Sequence, residues 1–336
     1  MADRLAADAA RAASTKASYE TDDLMAQYLS LHFGTSSAGD ALSALASEPA
    51  GSLLSQALGF PAKCGRLAVS AALAAGLDPR DCRALDLGCA VGGSTLVMAA
   101  AFGGGAVGVD LSQTFVDVAE RVRASGVDAG LPYSLREEGD LTLACAARVE
   151  SLFSSGLGAP ADEACRAGEL ADLARARCSF LQGDACALPA GALAPGAAGE
   201  YDCVLAANLL CRVPSPRDCL REVHRALRPG GVAVFTSPFT WMQQYTDRSQ
   251  WLGGGGGAGA AAAAAGGDEA GAAGAAKPAA AAPPQPQLSC AEALRSELEA
   301  LGFEVRDEGV QPLVIRETKR KYQLILAHRT VAVKLR

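Results

Sequence analysis

The sequence predicts an α/β protein built on a doubly wound, mostly parallel sheet, and three observations carry that prediction. Short apolar runs of strand length alternate with stretches of helical periodicity. One run ends in a glycine-rich turn that opens directly into a helix, and the next ends in a carboxylate twenty-two residues after the first glycine of that turn. The 336 residues carry a net charge of −7 and are 50% hydrophobic. That composition supports a large buried core and offers no basic footprint for nucleic acid.

The elements follow in order. Residues 19–60 read as helices lying over one end of the sheet, an N-terminal helical cap. Strands are expected at Arg83–Leu87, Ala106–Val109, Cys178–Leu181, Tyr201–Ala206 and Gly231–Thr236, and helices at Ser94–Ala101, Gln113–Ala124 and Pro216–Leu227. The last of these helices has Ser215 as N-cap, Pro216 in its first turn and Pro229-Gly230 beyond its end. Ser289 and Glu292 form a capping-box signature for a helix stopping at Gly302. Strands at Glu304–Asp307 and Tyr322–Val333 close the sheet, one of them antiparallel. Gly156–Ala167 and Ala190–Gly199, rich in Ala, Gly and Pro, read as loops. From Gly253 to Gln287 the chain is mostly glycine and alanine and ends in PPQPQ, the composition of a disordered insertion. The expected organisation is a flexible N-terminus over 1–18 and a single domain over 19–252 plus 288–336, interrupted by the 253–287 insertion.

Eleven cysteines occur with no Cys-x-x-Cys, mostly inside apolar runs, and read as reduced core thiols of a cytoplasmic protein. Three scattered histidines suggest no iron or zinc site. Neither a signal-peptide stretch nor a membrane span is expected.

The sharpest motif is Leu85-Asp86-Leu87-Gly88-Cys89-Ala90-Val91-Gly92-Gly93-Ser94, in which a strand brings bare backbone against a ligand at the carboxyl edge of a sheet. Val107-Gly108-Val109-Asp110 ends the next strand in a carboxylate where a ribose diol is held. A nucleoside-containing ligand follows. A dinucleotide fingerprint has glycine at its third position and an apolar residue ahead of the turn; here those places hold Ala90 and Asp86. The acid suits a cationic amino-acid tail and would repel a pyrophosphate. Gln182-Gly183-Asp184-Ala185 follows the third strand with a carboxylate able to accept from adenine.

Together these motifs resemble a class I S-adenosylmethionine-dependent methyltransferase, whose Rossmann-like sheet has seven strands. The resemblance implies that Asp86, Gly88 and Gly92 face the methionine part, Asp110 the ribose, and Asp184 and Ala185 the adenine. Asn208 then lies beside the methionine end, and Cys89 and Leu111 fall among the cofactor-binding positions. Ala90 stands where the family has its middle glycine.

A narrower resemblance rests on Tyr19-Glu20-Thr21-Asp22-Asp23-Leu24-Met25-Ala26-Gln27-Tyr28 through His32-Phe33-Gly34, on Thr236-Ser237-Pro238-Phe239-Thr240-Trp241 with Tyr245-Thr246 and Trp251-Leu252, and on Val314-Ile315-Arg316-Glu317-Thr318 with Arg320-Lys321-Tyr322-Gln323. The chain is similar there to the methyltransferase domain of ovothiol biosynthesis, the 4-mercaptohistidine N1-methyltransferase. That resemblance implies methylation of an imidazole nitrogen of 5-thiohistidine to give ovothiol A. It also implies a separate iron-dependent sulfoxide synthase as partner, because the family's domain is often fused behind one. Arg316, with Arg212 as second candidate, is expected to meet the substrate carboxylate. Tyr19 and Tyr28 are expected to position substrate, and Trp241 and Tyr245 to line its pocket. The alternatives are a methyltransferase of the same fold acting on another small molecule, and a non-catalytic partner that binds S-adenosylmethionine.

Overall fold

In a computed structural model, which describes residues 21–34, 52–126, 130–154, 161–193, 198–254 and 288–335, the apolar runs of the sequence become the centre of one seven-stranded sheet. Numbered in chain order, its strands lie side by side as β5 (Cys178–Gln182), β2 (Ala106–Asp110), β1 (Ala84–Leu87), β6 (Tyr201–Ala207), β7 (Leu227–Ser237), β9 (Lys321–Lys334) and β8 (Phe303–Thr318). All pairings among the first five are parallel, and β9 runs antiparallel to both β7 and β8. The chain winds outward from β1 through β2 to β5, then crosses back to β6 on the other side of β1. That reversal opens a crevice at the carboxyl ends of β1 and β6, where ligands of doubly wound sheets bind.

Each face of the sheet is covered, which is why its central strands are apolar throughout: all four residues of β1 are buried. On one face pack α3 (Phe60–Ala74) and α4 (Gly93–Ala101), through Ala68, Leu96 and Phe102 against Leu205 and Val234. On the other lie α7 (Pro216–Ala226) and α8 (Cys290–Ala300), with Leu220, Val223 and Leu298 against Leu85, Leu87 and Phe235. The caps read from the sequence form: the Ser215 side chain accepts from Asp218 N–H, and Ser289 and Glu292 complete a reciprocal capping box. Cys64, Cys82, Cys89, Cys203, Cys211 and Cys219 are buried as small apolar side chains. Among the described residues no helix is long and apolar enough to cross a membrane.

Four features depart from the sequence expectation. The stretch read as a loop over Gly156–Ala167 contains the start of α6 (Ala161–Arg177), whose inward face is alanine: Ala167, Ala171 and Ala174 are buried. Alanine carries little periodic signal although it is the best helix former. Helix α3 is obscured in the same way, with Cys64, Gly65, Ala68 and Ala72 facing inward. Strand β8 continues eleven residues past Asp307, through Gly309 and Pro312, to Thr318. Both breakers are tolerated because β8 is the edge of the sheet, where a proline need not donate to a further neighbour. A two-stranded ladder, β3 (Leu131–Arg136) with β4 (Thr142–Ala147), stands apart from the main sheet and has no counterpart in the expected elements.

The expected cap contributes α1 (Asp22–Phe33) and α2 (Leu53–Ala57). Tyr19, the 1–18 segment and most of the glycine–alanine insertion lie outside the described residues. Where the described chain stops and resumes around that insertion, Gly254 N–H donates to Leu288 O at 3.0 Å, so its two ends meet. Replacing 255–287 with three or four residues is therefore expected to shift the thermal midpoint by no more than about 3 °C, measured by calorimetry, since loop-closure entropy changes slowly with length.

Candidate functional site

At the crevice between β1 and β6 the chain leaves β1 in a left-handed turn. Gly88 has φ +70°, and a Cβ there would meet Leu209 Cδ1 at 2.8 Å, so glycine serves both conformation and space. Ala90 adopts φ +46° and bears the strain that a glycine would avoid. Asp110, at the end of β2, offsets it: its Oδ2 accepts from Ala90 N–H at 2.9 Å and its Oδ1 from Ser112 N–H at 2.9 Å. Burial pushes the Asp110 carboxyl up to about 6, against the lowering effect of these donors.

This turn forms the floor of a cavity with about 180 Å³ of accessible volume. Seven of the nine expected cofactor positions, Gly88, Cys89, Asp110, Leu111, Asp184, Ala185 and Asn208, meet around it together with Ala90. Asp86 and Gly92 do not line the cavity. Asp184 is held by a local turn in which its Oδ1 accepts from Cys186 N–H at 2.8 Å. Asn208 sits at φ +53°, a conformation asparagine tolerates, and its Oδ1 accepts from Thr236 Oγ1 at 3.0 Å. Gly92 instead makes room behind the turn, where a Cβ would fall 2.5 Å from Phe180 Cζ. Asp86 is buried behind the cavity wall. It accepts from Ser94 Oγ at 2.6 Å and Thr95 Oγ1 at 2.7 Å, and Ser94 is the group that reaches the cavity.

Opposite the turn, α1 supplies Tyr28, Leu31 and His32, and β8 supplies Leu313 and Ile315. Desolvation raises Tyr28 to about 12, with the Asp110 charge adding to the effect, so its hydroxyl stays protonated. Arg212, just beyond β6, is the one cation on this wall among the described residues. Its NH1 donates to Thr240 O at 2.9 Å, and its guanidinium lies 5.1 Å from the centre of the Tyr245 ring.

The expected substrate residues divide. Tyr28 and Arg212 face the cavity, whereas Arg316, Trp241 and Tyr245 are absent from its lining. Arg316 alternates with the inward-facing Leu313 and Ile315 along β8, so it points to the other face of the strand. There its side chain is 1% exposed and pairs with Glu137 from the β3–β4 connection. Trp241 stacks on Trp251, with ring centres 6.2 Å apart, and donates from Nε1 to Cys290 Sγ at 3.3 Å. Tyr245 supports Arg212 from behind. His32, one of the three scattered histidines, lies on the cavity wall, a placement that follows from the packing of α1 over the turn.

Comparison with known proteins gives the family. The family model of a methyltransferase domain matches residues 62–308, most of the chain. The chain belongs to that methyltransferase family. It is an enzyme that uses S-adenosylmethionine, and its sheet is that of the class I Rossmann-like fold. Among solved structures the methyltransferase is similar to the magnesium protoporphyrin IX methyltransferase of Synechocystis PCC 6803 (13% identity over 87% of this chain and 92% of that one, TM-score 0.40). It is similar also to a SAM-dependent methyltransferase of Methanosarcina mazei (16% identity, 78% and 97%, TM-score 0.41). The [4+2]-cyclase SpnF is a further likeness (21% identity, TM-score 0.37), and there the chain covers 74% of itself and 60% of the other protein. No curated protein sequence matches it.

The wall suits the cofactor: a side-chain-free Gly88, a carboxylate at Asp110 with lone pairs beyond its two backbone donors, and a second at Asp184 along the same edge. Asp86 carries a measurable cost for its place beneath it. Burial raises this carboxyl from 3.8 to about 6, against the two hydroxyl donors. Between those values the unfolded chain releases the proton and the folded one keeps it, so this group's contribution to stability falls as pH rises from about 4 to about 6. Asp86→Asn, which resembles the protonated acid, is expected to raise stability by about 1–2 kcal/mol at pH 7.5. The gain should vanish below about pH 4 in urea titrations followed across pH.

Proposed function

We propose that the methyltransferase acts on an imidazole nitrogen of a small thiol-bearing amino acid, 5-thiohistidine (4-mercaptohistidine), forming ovothiol A. The observation that carries this reading is the placement of Arg212: a single guanidinium, held by Thr240 and Tyr245, on a cavity wall that also bears Tyr28, His32 and the apolar Leu31, Phe60, Pro61 and Ile315. A guanidinium fork suits the carboxylate of an amino acid. The sequence likeness to the ovothiol-biosynthesis domain supports the same substrate.

When bound, S-adenosylmethionine supplies an electrophilic methyl group on sulfonium. Asp110, Asp184, Ala185, Gly88 and Asn208 are the residues we assign to holding it, with Cys89 and Leu111 beside them. Arg212 fixes the acceptor by its carboxylate and so determines which of its heteroatoms faces the methyl group. Positioning of this kind is the main demand on the protein, because a neutral imidazole nitrogen needs no deprotonation to attack. The wall fits that demand: Tyr28 keeps its proton, and His32 has its Nδ1 engaged by Gly93 N–H at 3.0 Å. Tyr28 is assigned a positioning role against the acceptor ring. Carbon–sulfur bond formation is assigned to a separate iron-dependent sulfoxide synthase, and the reaction to the cytoplasm.

Incubation with S-adenosylmethionine and a panel of 5-thiohistidine, histidine and simple thiols, read by mass spectrometry and NMR, tests the reading. Methylation on sulfur, or none on 5-thiohistidine, would overturn it. Arg212→Met is expected to raise the KM for 5-thiohistidine roughly ten- to a hundredfold, the worth of a charge-assisted hydrogen bond, and to leave S-adenosylhomocysteine affinity unchanged.

A further inference from the structure

Helix α4 begins at Gly93 without a side-chain cap, because its N-cap is Gly92 in the left-handed conformation. The Gly93 N–H, one of the helix's unpaired first donors, is instead met from a distant part of the chain: His32 Nδ1 on α1 accepts from it at 3.0 Å. The two residues are fitted to one another. A Cβ on Gly93 would lie 2.7 Å from His32 Nδ1, so only glycine lets the ring approach. His32 is itself 5% exposed, and burial lowers it to about 3, so the ring is neutral. With Nδ1 accepting, its single proton sits on Nε2. Among the described residues no acceptor meets that Nε2–H, and the ring forms part of the cavity wall.

A donor on the cavity wall is left for a bound ligand to satisfy. The two ring nitrogens face nearly opposite ways, so Nδ1 closes the helix start and Nε2–H is turned away from it, toward an acceptor for which an anion is the strongest partner. The order of strands indicates which anion. Asp184 follows β5, Asp110 ends β2, Gly88 follows β1 and Arg212 follows β6, so adenine, ribose, amino-acid tail and acceptor succeed one another across the edge of the sheet. Gly93 and His32 flank the β1 position, apart from Arg212.

The geometry points to His32 as a positioning residue that donates from Nε2–H to the carboxylate of the cofactor's amino-acid tail, while its Nδ1 locks α1 onto the start of α4. This assignment depends on cofactor use and not on the identity of the acceptor. One side chain thereby closes the helical cap and orients the sulfonium end of the ligand. It acts as a hydrogen-bond donor, with no role in taking a proton from the acceptor.

Isothermal calorimetry with two probes tests it: S-adenosylhomocysteine, which has the carboxylate, and 5′-methylthioadenosine, which lacks the amino-acid tail. His32→Asn can keep an acceptor for Gly93 N–H but lacks the reach of Nε2. It is expected to fold with an unchanged thermal midpoint and to lose roughly ten- to a hundredfold in S-adenosylhomocysteine affinity, with methylthioadenosine affinity unchanged. His32→Ala should show the same selective loss with a lowered midpoint, and if it does not fold, His32→Asn alone carries the test. Equal losses for the two probes, or no loss for S-adenosylhomocysteine, would overturn the assignment and leave His32 a purely structural contact. Because neither probe measurement involves turnover, failure here is separate from failure of the thiohistidine reading.

Discussion

The hydrogen bond from Ala90 N–H to the Asp110 carboxylate ties the end of β2 to the turn after β1, and the rest of the site is arranged around it. It holds a non-glycine residue at positive φ, fixes the spacing of two parallel strands at their carboxyl ends, and leaves the acid partly occupied before any ligand arrives. Asp110 is thus a structural and a binding group at once. Removing its charge would loosen the turn as well as weaken a ribose contact, so the two effects must be separated by comparing folding with affinity. Asp86 does comparable work one layer down, where it pins Ser94 and Thr95 at the head of α4. Two carboxylates, Asp86 buried and Asp110 part-buried, thus brace one turn.

Much of this architecture was legible from residue order. Strand, glycine turn and helix recur with a period that only a doubly wound sheet accommodates, and the carboxylates at 110 and 184 fall at strand ends because the chain must reverse there. What escaped was whatever alanine builds. Helix α6 packs through Ala167, Ala171 and Ala174, residues too weakly apolar to stand out against a chain already rich in alanine. The β3–β4 ladder escaped because its pattern is short and contains Pro132.

The substrate wall was less legible than the cofactor wall, for a physical reason. Cofactor groups come from strand ends, whose position follows from the strand itself, whereas substrate groups depend on which face of a long edge strand turns inward. A shift of one residue along β8 exchanges Ile315 for Arg316. The arginine that resembled a carboxylate clamp is committed to Glu137, and it fastens the β3–β4 connection to the outer edge of the sheet. Trp241 likewise serves the packing of α8 through its contact with Cys290.

The cavity wall draws on both ends of the chain: Tyr28 and His32 precede every strand of the main sheet, and Leu313 and Ile315 belong to the edge strand that is reached almost last. Such long-range closure makes the wall a late event in folding. During synthesis the glycine turn and Asp110 are available early, and α1 can lie against α4 and the β3–β4 ladder, but Leu313 and Ile315 join the wall only once β8 has emerged. A growing chain therefore cannot complete its ligand-binding wall before β8 has left the ribosome.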